Sequence, residues 1–253
     1  MAHKILAVDV GNSRAKFGIF ERMHDEVQPV AVSAVPLRGQ HDVATRLTSW
    51  MQPFNVDSSI AAGSNPPVLD RLIEEWPEHL PPVSVIRTTR AIPVTIAVDQ
   101  PDTVGLDRIL NALAAARMNP GQSVIVVDSG TATTVDLVSE TGEFCGGTIF
   151  PGLRLSAYAL HDYTARLPLI DVDAEPPDSP RLPGKTTEEA IRAGLFWGQL
   201  GAIREIVNRI AHDCSEQPAV ILTGGGGRLL SRHLDQATCV EALALHGLAM
   251  LAG

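Results

Sequence analysis

Apolar residues in this chain gather in short runs, and two of those runs end in the same way. Val124-Ile125-Val126-Val127 is apolar without a break and mostly β-branched, which predicts a strand buried on both faces. It enters Asp128-Ser129-Gly130-Thr131, and a returning strand with threonines among its apolar residues follows to Val138. The N-terminus repeats the plan: Ile5-Leu6-Ala7-Val8 enters Asp9-Val10-Gly11-Asn12, and the chain returns through Ser13 to Phe20. Superposed, Asp9 falls on Asp128, Gly11 on Gly130 and Asn12 on Thr131. Either stretch alone reads as an ordinary hairpin turn, made of the residues turns favour. The repeat predicts more: two similar domains, residues 1–115 and 116–253, facing one another across a cleft.

Periodicity fills in the remaining elements. Pro29 to Val35 reads as a third strand, Asp42 to Met51 as an amphipathic helix, Ser59 to Ser64 as a buried strand and Pro67 to Trp76 as a helix. Short strands follow at Val83 to Ile86 and Pro93 to Val98. This β-β-β-α-β-α order is an α/β layout. Leu106, Ile109, Leu110 and Leu113 have the spacing of one buried helix face. Asp107 falls in the first turn of that helix at the edge of the face, where the helix dipole alone favours an acid; Asn111 lies one turn below.

In the second half, Phe144 to Gly152 reads as a strand with glycines where backbone must come close to something. A helix follows over Leu155 to Tyr163. The proline-rich stretch from Ala165 to Lys185 is predicted to be a loop, of a length that often forms a lid or binding segment. Thr186 and Glu189 fit a capping box opening a long helix, which leaves Thr187 available for other work. Gly194, Gly198 and Gly201 share one stripe of that helix and predict a close helix–helix approach, within the fold or across a dimer. A strand at Val220 to Thr223 enters Gly224-Gly225-Gly226-Gly227, a turn able to lie flat against an adenine or ribose; helices at Arg228 to Leu234 and Leu243 to Leu251 follow.

Composition narrows the partners. The 253 residues are 45% hydrophobic and 19% charged, ordinary for a globular protein. A formal net charge of −9 argues against a nucleic-acid partner. Cys145, Cys214 and Cys239 are widely spaced and form no CxxC pattern, which fits a reducing compartment and gives no zinc signal. No apolar run approaches the roughly 18 residues of a membrane span, so a cytoplasmic protein is expected. Gly184-Lys185-Thr186 mimics the end of a P-loop, but position 179 is serine and no buried strand precedes it. The four-glycine run does not spell the dinucleotide-binding pattern. His161, His212, His233 and His246 are scattered.

The repeated turns carry the candidate chemistry. A carboxylate at the mouth of a buried strand is poorly solvated unless a cation or donors meet it. Glycine and small hydroxyl residues beside it let a phosphate approach backbone N–H groups closely. Two facing turns of this kind would hold a polyphosphate and its metal.

Four segments, in order, resemble one family: Asp9-Val10-Gly11-Asn12-Ser13, Gly105-Leu106-Asp107-Arg108, Asp128-Ser129-Gly130-Thr131-Ala132-Thr133-Thr134, and Gly146-Gly147-Thr148-Ile149-Phe150-Pro151-Gly152-Leu153. Together they closely resemble the type III pantothenate kinases. The likeness continues through Leu160, Ala165-Arg166-Leu167-Pro168 and Thr187-Glu188-Glu189-Ala190-Ile191 to Gly224, nearly the whole chain. Each motif alone is weak; the ordered set is specific. The resemblance implies the actin-like ATPase fold, two duplicated ribonuclease H-like domains with ATP in the cleft. It implies phosphorylation of pantothenate at its terminal hydroxyl, the first step towards coenzyme A, by a homodimer using ATP with magnesium and a monovalent cation, potassium or ammonium.

By position, the resemblance makes Asp107 the general base. It gives Asp9, Val10, Gly11, Asn12, Ser13, Arg14, Ala15 and Lys16 to the ATP phosphates, with Thr131 a further ATP contact. Gly105, Leu106, Asp107, Arg108 and Thr187 match pantothenate-binding positions, and Asp128 the ligand of the monovalent cation. One departure stands out: the family often carries a tyrosine three residues before the proline matching Pro101, and here that position is Val98. Val98 keeps open another small-molecule hydroxyl kinase of the same superfamily. A non-catalytic regulatory protein retaining the fold is the other alternative, and the joint presence of Asp9, Asp107 and Asp128 speaks against it.

Overall fold

A computed structural model describes residues 2–24, 26–37, 43–172, 179–234 and 237–252. The chain forms two compact units: Met1–Met118 with Gly142–Phe144 and Ala242–Gly253, and Asn119–Thr141 with Cys145–Glu241.

The first unit is built on β1 (His3–Val10), whose eight residues are all buried after the first two. A strand with no solvent face needs a neighbour on each side. It pairs antiparallel with β2 (Arg14–Met23) and parallel with β4 (Ser58–Gly63); β3 (Glu26–Pro36) and β5 (Val83–Ile86) form the edges, giving the order β3-β2-β1-β4-β5. Alternation along a strand separates the two faces. Leu6, Val8 and Val10, with Phe17 and Ile19 of β2, pack against Leu47 and Met51 of α1 (Val43–Met51) and Leu69 and Leu72 of α2 (Pro66–Glu74).

The opposite face of β2 receives the C-terminal helix α7 (Leu243–Leu251). Alternate residues of β2 from Gly18 onward meet it: Gly18 lies against Leu245, Phe20 sits edge-on to His246 at 4.9 Å, and Arg22 donates to the carbonyls of Ala249 (2.7 Å) and Ala252. A cation on the last carbonyls of a helix is favoured by the helix dipole. α7 also packs against α3 (Leu106–Met118). There Gly247 is required, because any side chain at that position would run into the carbonyl of Leu110.

The second unit repeats the plan. β6 (Val124–Ser129) pairs antiparallel with β7 (Ala132–Val138) and parallel with β9 (Ala219–Thr223), and β8 (Phe144–Pro151) and β10 (Ala237–Cys239) are the edges. Its order, β8-β7-β6-β9-β10, is that of the first sheet strand for strand. Ile125, Val127 and Val135 pack under Phe196, Leu200 and Ile203 of α5 (Thr187–His212). α4 (Leu153–Asp162) supplies Ala157 to a smaller cluster with Ile170 and Ile191. Thr186 caps α5 in a full capping box with Glu189, as its sequence predicts. α6 (Gly227–Ser231) is a single short helix.

Four expectations are revised. Pro93 to Val98 is not a strand; Ile96 makes an isolated bridge to Phe144, with Ala97 N–H donating to the Phe144 carbonyl at 2.8 Å and Phe144 N–H to Thr95 at 2.9 Å. Residues this short of partners cannot extend a ladder. Second, α3 is buried almost all round, from Ile109 to Ala115, because α7 covers a side the periodicity left to solvent. Third, space around Gly194, Gly198 and Gly201 is open, with nothing within 4 Å of a side chain added at any of them; the close approach within the fold is absent among the described residues. Fourth, α6 stops at Ser231, short of Leu234. Asp42 and residues 173–178 of the proline-rich stretch lie outside the described residues.

Candidate active site

The β1–β2 turn follows from its register. Asp9 stands opposite Lys16 in the antiparallel ladder, so both side chains leave the sheet on one face. Asp9 is 5% exposed, and its Oδ2 lies 3.8 Å from Lys16 Nζ. A carboxylate this buried is tolerable because a cation sits beside it. Gly11 N–H donates to the Arg14 carbonyl at 3.0 Å and closes the turn, leaving Asn12 exposed at the tip with Ser13 beside it. Val10 and Ala15 are fully buried and hold the turn to the core.

The β6–β7 turn begins alike and then diverges. Asp128 stands opposite Thr134, and Gly130 N–H donates to the Ala132 carbonyl at 3.0 Å. The turn is one residue shorter than its counterpart, so where the first hairpin puts a lysine across from its aspartate, the second puts a hydroxyl. The Thr134 Oγ1 is buried and has no hydrogen-bond partner among the described residues. The glycine turn after β9 closes in on the same place. Gly224 adopts φ +85°, a left-handed conformation suited to glycine, and a side chain there would strike Asp128 Oδ1. Gly226 N–H donates to the Ser129 carbonyl at 2.9 Å. An orphaned hydroxyl oxygen across from a half-buried carboxylate is a hard-oxygen donor set that fits a potassium or ammonium ion. Thr131 is exposed at the tip, and Thr133 is held from α5 by Gln199 Nε2.

Asp107 occupies the first turn of α3 and is half-buried. Its Oδ1 accepts from the Arg108 N–H at 2.9 Å, which turns the carboxylate back over the helix start. That placement depends on Gly105, since a side chain there would come within 2.6 Å of the same oxygen. Arg108 lies over the ring of Phe144 at 5.1 Å, a cation–π contact that fixes the guanidinium plane. Thr187 is exposed at the start of α5, released from capping by Thr186. Val98 is half-buried.

Among the described residues no three of His, Cys, Asp and Glu gather as a metal cage. Magnesium seldom needs one, since it is bound through one or two carboxylates and substrate phosphates. No described helix is long and apolar enough to cross a membrane. Asp9 with Lys16, and Asp107 with Arg108, are each brought together within the first unit; Asp128, Thr131 and Thr187 belong to the second. Sequence reasoning missed three supports: Phe144 under Arg108, Gln199 holding Thr133, and the packing of the glycine turn on Asp128 and Ser129. The first two are single residues outside any repeat. For the third, the glycine run itself was the signal, read as a nucleotide surface and not as room for a carboxylate.

Comparison with known proteins gives the family and the fold. The model of the type III pantothenate kinase family matches residues 5–209. Type III pantothenate kinases of Gluconobacter oxydans and Pelobacter propionicus are each 35% identical, covering 98% of this chain and 92% and 98% of theirs. That of Persephonella marina is 31% identical over 91% of both. Among solved structures, a putative 2-dehydro-3-deoxygalactonokinase from Sinorhizobium meliloti superposes with a TM-score of 0.54 at 18% identity, covering 98% of this chain and 97% of that one. The ethanolamine utilization protein EutJ from Carboxydothermus hydrogenoformans gives 0.53 at 12%, covering 97% and 89%. These two likenesses concern the fold alone, which is that of the actin-like ATPases. With its motifs in order, its two matching sheets and its relatives aligned almost end to end, the chain belongs to the type III pantothenate kinase family.

Proposed function

We propose that this pantothenate kinase uses Asp107 as the base that takes the proton of the substrate's terminal hydroxyl while that oxygen attacks the γ-phosphorus of ATP. An oxygen–phosphorus bond forms, the bond to the β-phosphate oxygen breaks, and 4'-phosphopantothenate and ADP leave. The observation that carries this reading is the Asp107 carboxylate, steered by the Arg108 N–H over a glycine that leaves it room. Phosphoryl transfer through a loose transition state asks mainly for positioning and charge neutralisation, and the other assignments follow that need. The Asp9 to Lys16 turn, with Thr131, meets the ATP phosphates. Gly105, Leu106, Arg108 and Thr187 hold pantothenate, Arg108 suiting its planar carboxylate or amide end. Asp128 and Thr134 would hold potassium or ammonium, which together with the magnesium of ATP would supply positive charge against the phosphates. The enzyme works as a cytoplasmic homodimer, with the open glycine stripe of α5 available for the second copy.

Replacing Asp107 with asparagine tests the central assignment. The variant is expected to keep its fold and bind ATP while losing turnover by a factor of about 10² to 10⁴, the usual contribution of a general base. Near-normal turnover in a coupled assay would remove Asp107 from the role. Sedimentation at twice the 27.0 kDa chain mass checks the dimer.

A further inference from the structure

Between β5 and α3 the chain travels through two short 3-10 turns, Thr89–Ala91 and Pro101–Thr103. The second ends two residues before Gly105, so its placement sets that of Asp107 and Arg108. Its own hydrogen bonds are local: Thr103 N–H and Oγ1 both donate to the Gln100 carbonyl, at 3.2 and 2.8 Å, and Val104 N–H donates to Pro101 at 3.3 Å. They shape the turn without fastening it to anything else. A cavity of about 330 Å³ opens alongside, its lining including Thr88, Thr89, Arg90, Asp102, Val104 and Leu106. Close packing therefore does not hold the segment there.

One side-chain pair spans the two turns. Arg90 Nε donates to Asp102 Oδ1 at 3.1 Å and Arg90 Nη2 to Oδ2 at 2.9 Å. Two parallel bonds between planar groups fix orientation as well as distance. The Arg90 side rests on a firm base: Thr89 and Ile92 are buried, and Arg87 Nη1 pairs with Asp70 Oδ1 of α2 at 2.7 Å. Both Arg90 and Asp102 are exposed, and pairs so exposed contribute little to stability, which leaves alignment as the work for the fork to do.

We propose that the Arg90–Asp102 pair is a positioning clasp for the pantothenate segment Gly105–Arg108, setting affinity for the acceptor and not for the nucleotide. This rests on the assignment of that segment to pantothenate. Neither residue touches the reacting atoms; each acts through the turn at Pro101–Thr103.

Steady-state kinetics on Arg90→Ala, Asp102→Asn and the double variant test it, with Asp107→Asn alongside. Both single variants are expected to raise the pantothenate KM about three- to tenfold, with the ATP KM and melting temperature unchanged. The double variant should be no worse than either single, because partners in one contact do not add. Arg90→Lys, which keeps the charge and loses the fork, should recover only part of the loss. An unchanged pantothenate KM, an ATP KM that rises in parallel, or single effects that multiply in the double variant would overturn the clasp. If Asp107→Asn is inactive while Arg90→Ala leaves the pantothenate KM unchanged, the clasp alone fails; if Asp107→Asn keeps both its turnover and its pantothenate KM, the segment's assignment fails and takes the clasp with it.

Discussion

A carboxylate at the end of a buried strand is answered differently in the two hairpins. Across from Asp9 the ladder places Lys16; across from Asp128 it places Thr134. The first acid has a cation supplied by its own sheet, and the second faces a buried hydroxyl that no described group hydrogen-bonds. Leaving such a hydroxyl unsatisfied costs about 1–3 kcal/mol, so Thr134→Val gives a two-way test. If Thr134 helps to hold the monovalent cation, the variant needs several-fold more potassium for half-maximal activity while its melting temperature rises. A higher melting temperature with an unmoved potassium response would mean the hydroxyl is only an orphan.

At the scale of elements, much of the architecture was legible because it depends on local signals. The hairpins follow from apolar runs ending in Asp-x-Gly, and the start of α5 follows from Thr186 and Glu189, whose reciprocal bonds are local by nature. What escaped depends on distant partners. The burial of α3 almost all round from Ile109 to Ala115 owes much to α7, more than a hundred positions away in sequence, and one amphipathic face could not reveal it. The segment from Pro93 to Val98 has strand-like composition, yet finds a single partner in Phe144. The site divides the same way: Asp9, Asp107 and Asp128 stood out by motif, whereas Phe144 and Gln199 earn their places only through the fold. Gly247 puts a number on the α3–α7 contact. Gly247→Ala forces a methyl group against the Leu110 carbonyl, and overpacking of this kind costs about 1–3 kcal/mol; chemical denaturation should show a lower midpoint with an unchanged slope.

For the whole molecule, the duplicated strand order explains how one chain offers two acid-tipped turns without inventing a second topology. The two turns nonetheless differ by one residue in length, and a four-glycine run follows β9 alone. Relatives in the family align over both halves. Net charge of −9 is no obstacle to binding two anionic substrates when lysine, arginine and metal charge are concentrated locally.

The return of α7 to the first unit has a consequence for biosynthesis. Residues 243–251 cover α3 and the far side of β2, yet they are translated after the whole second unit. Until they are made, the flank of the helix bearing Asp107 lacks the cover that α7 gives it in the finished first unit.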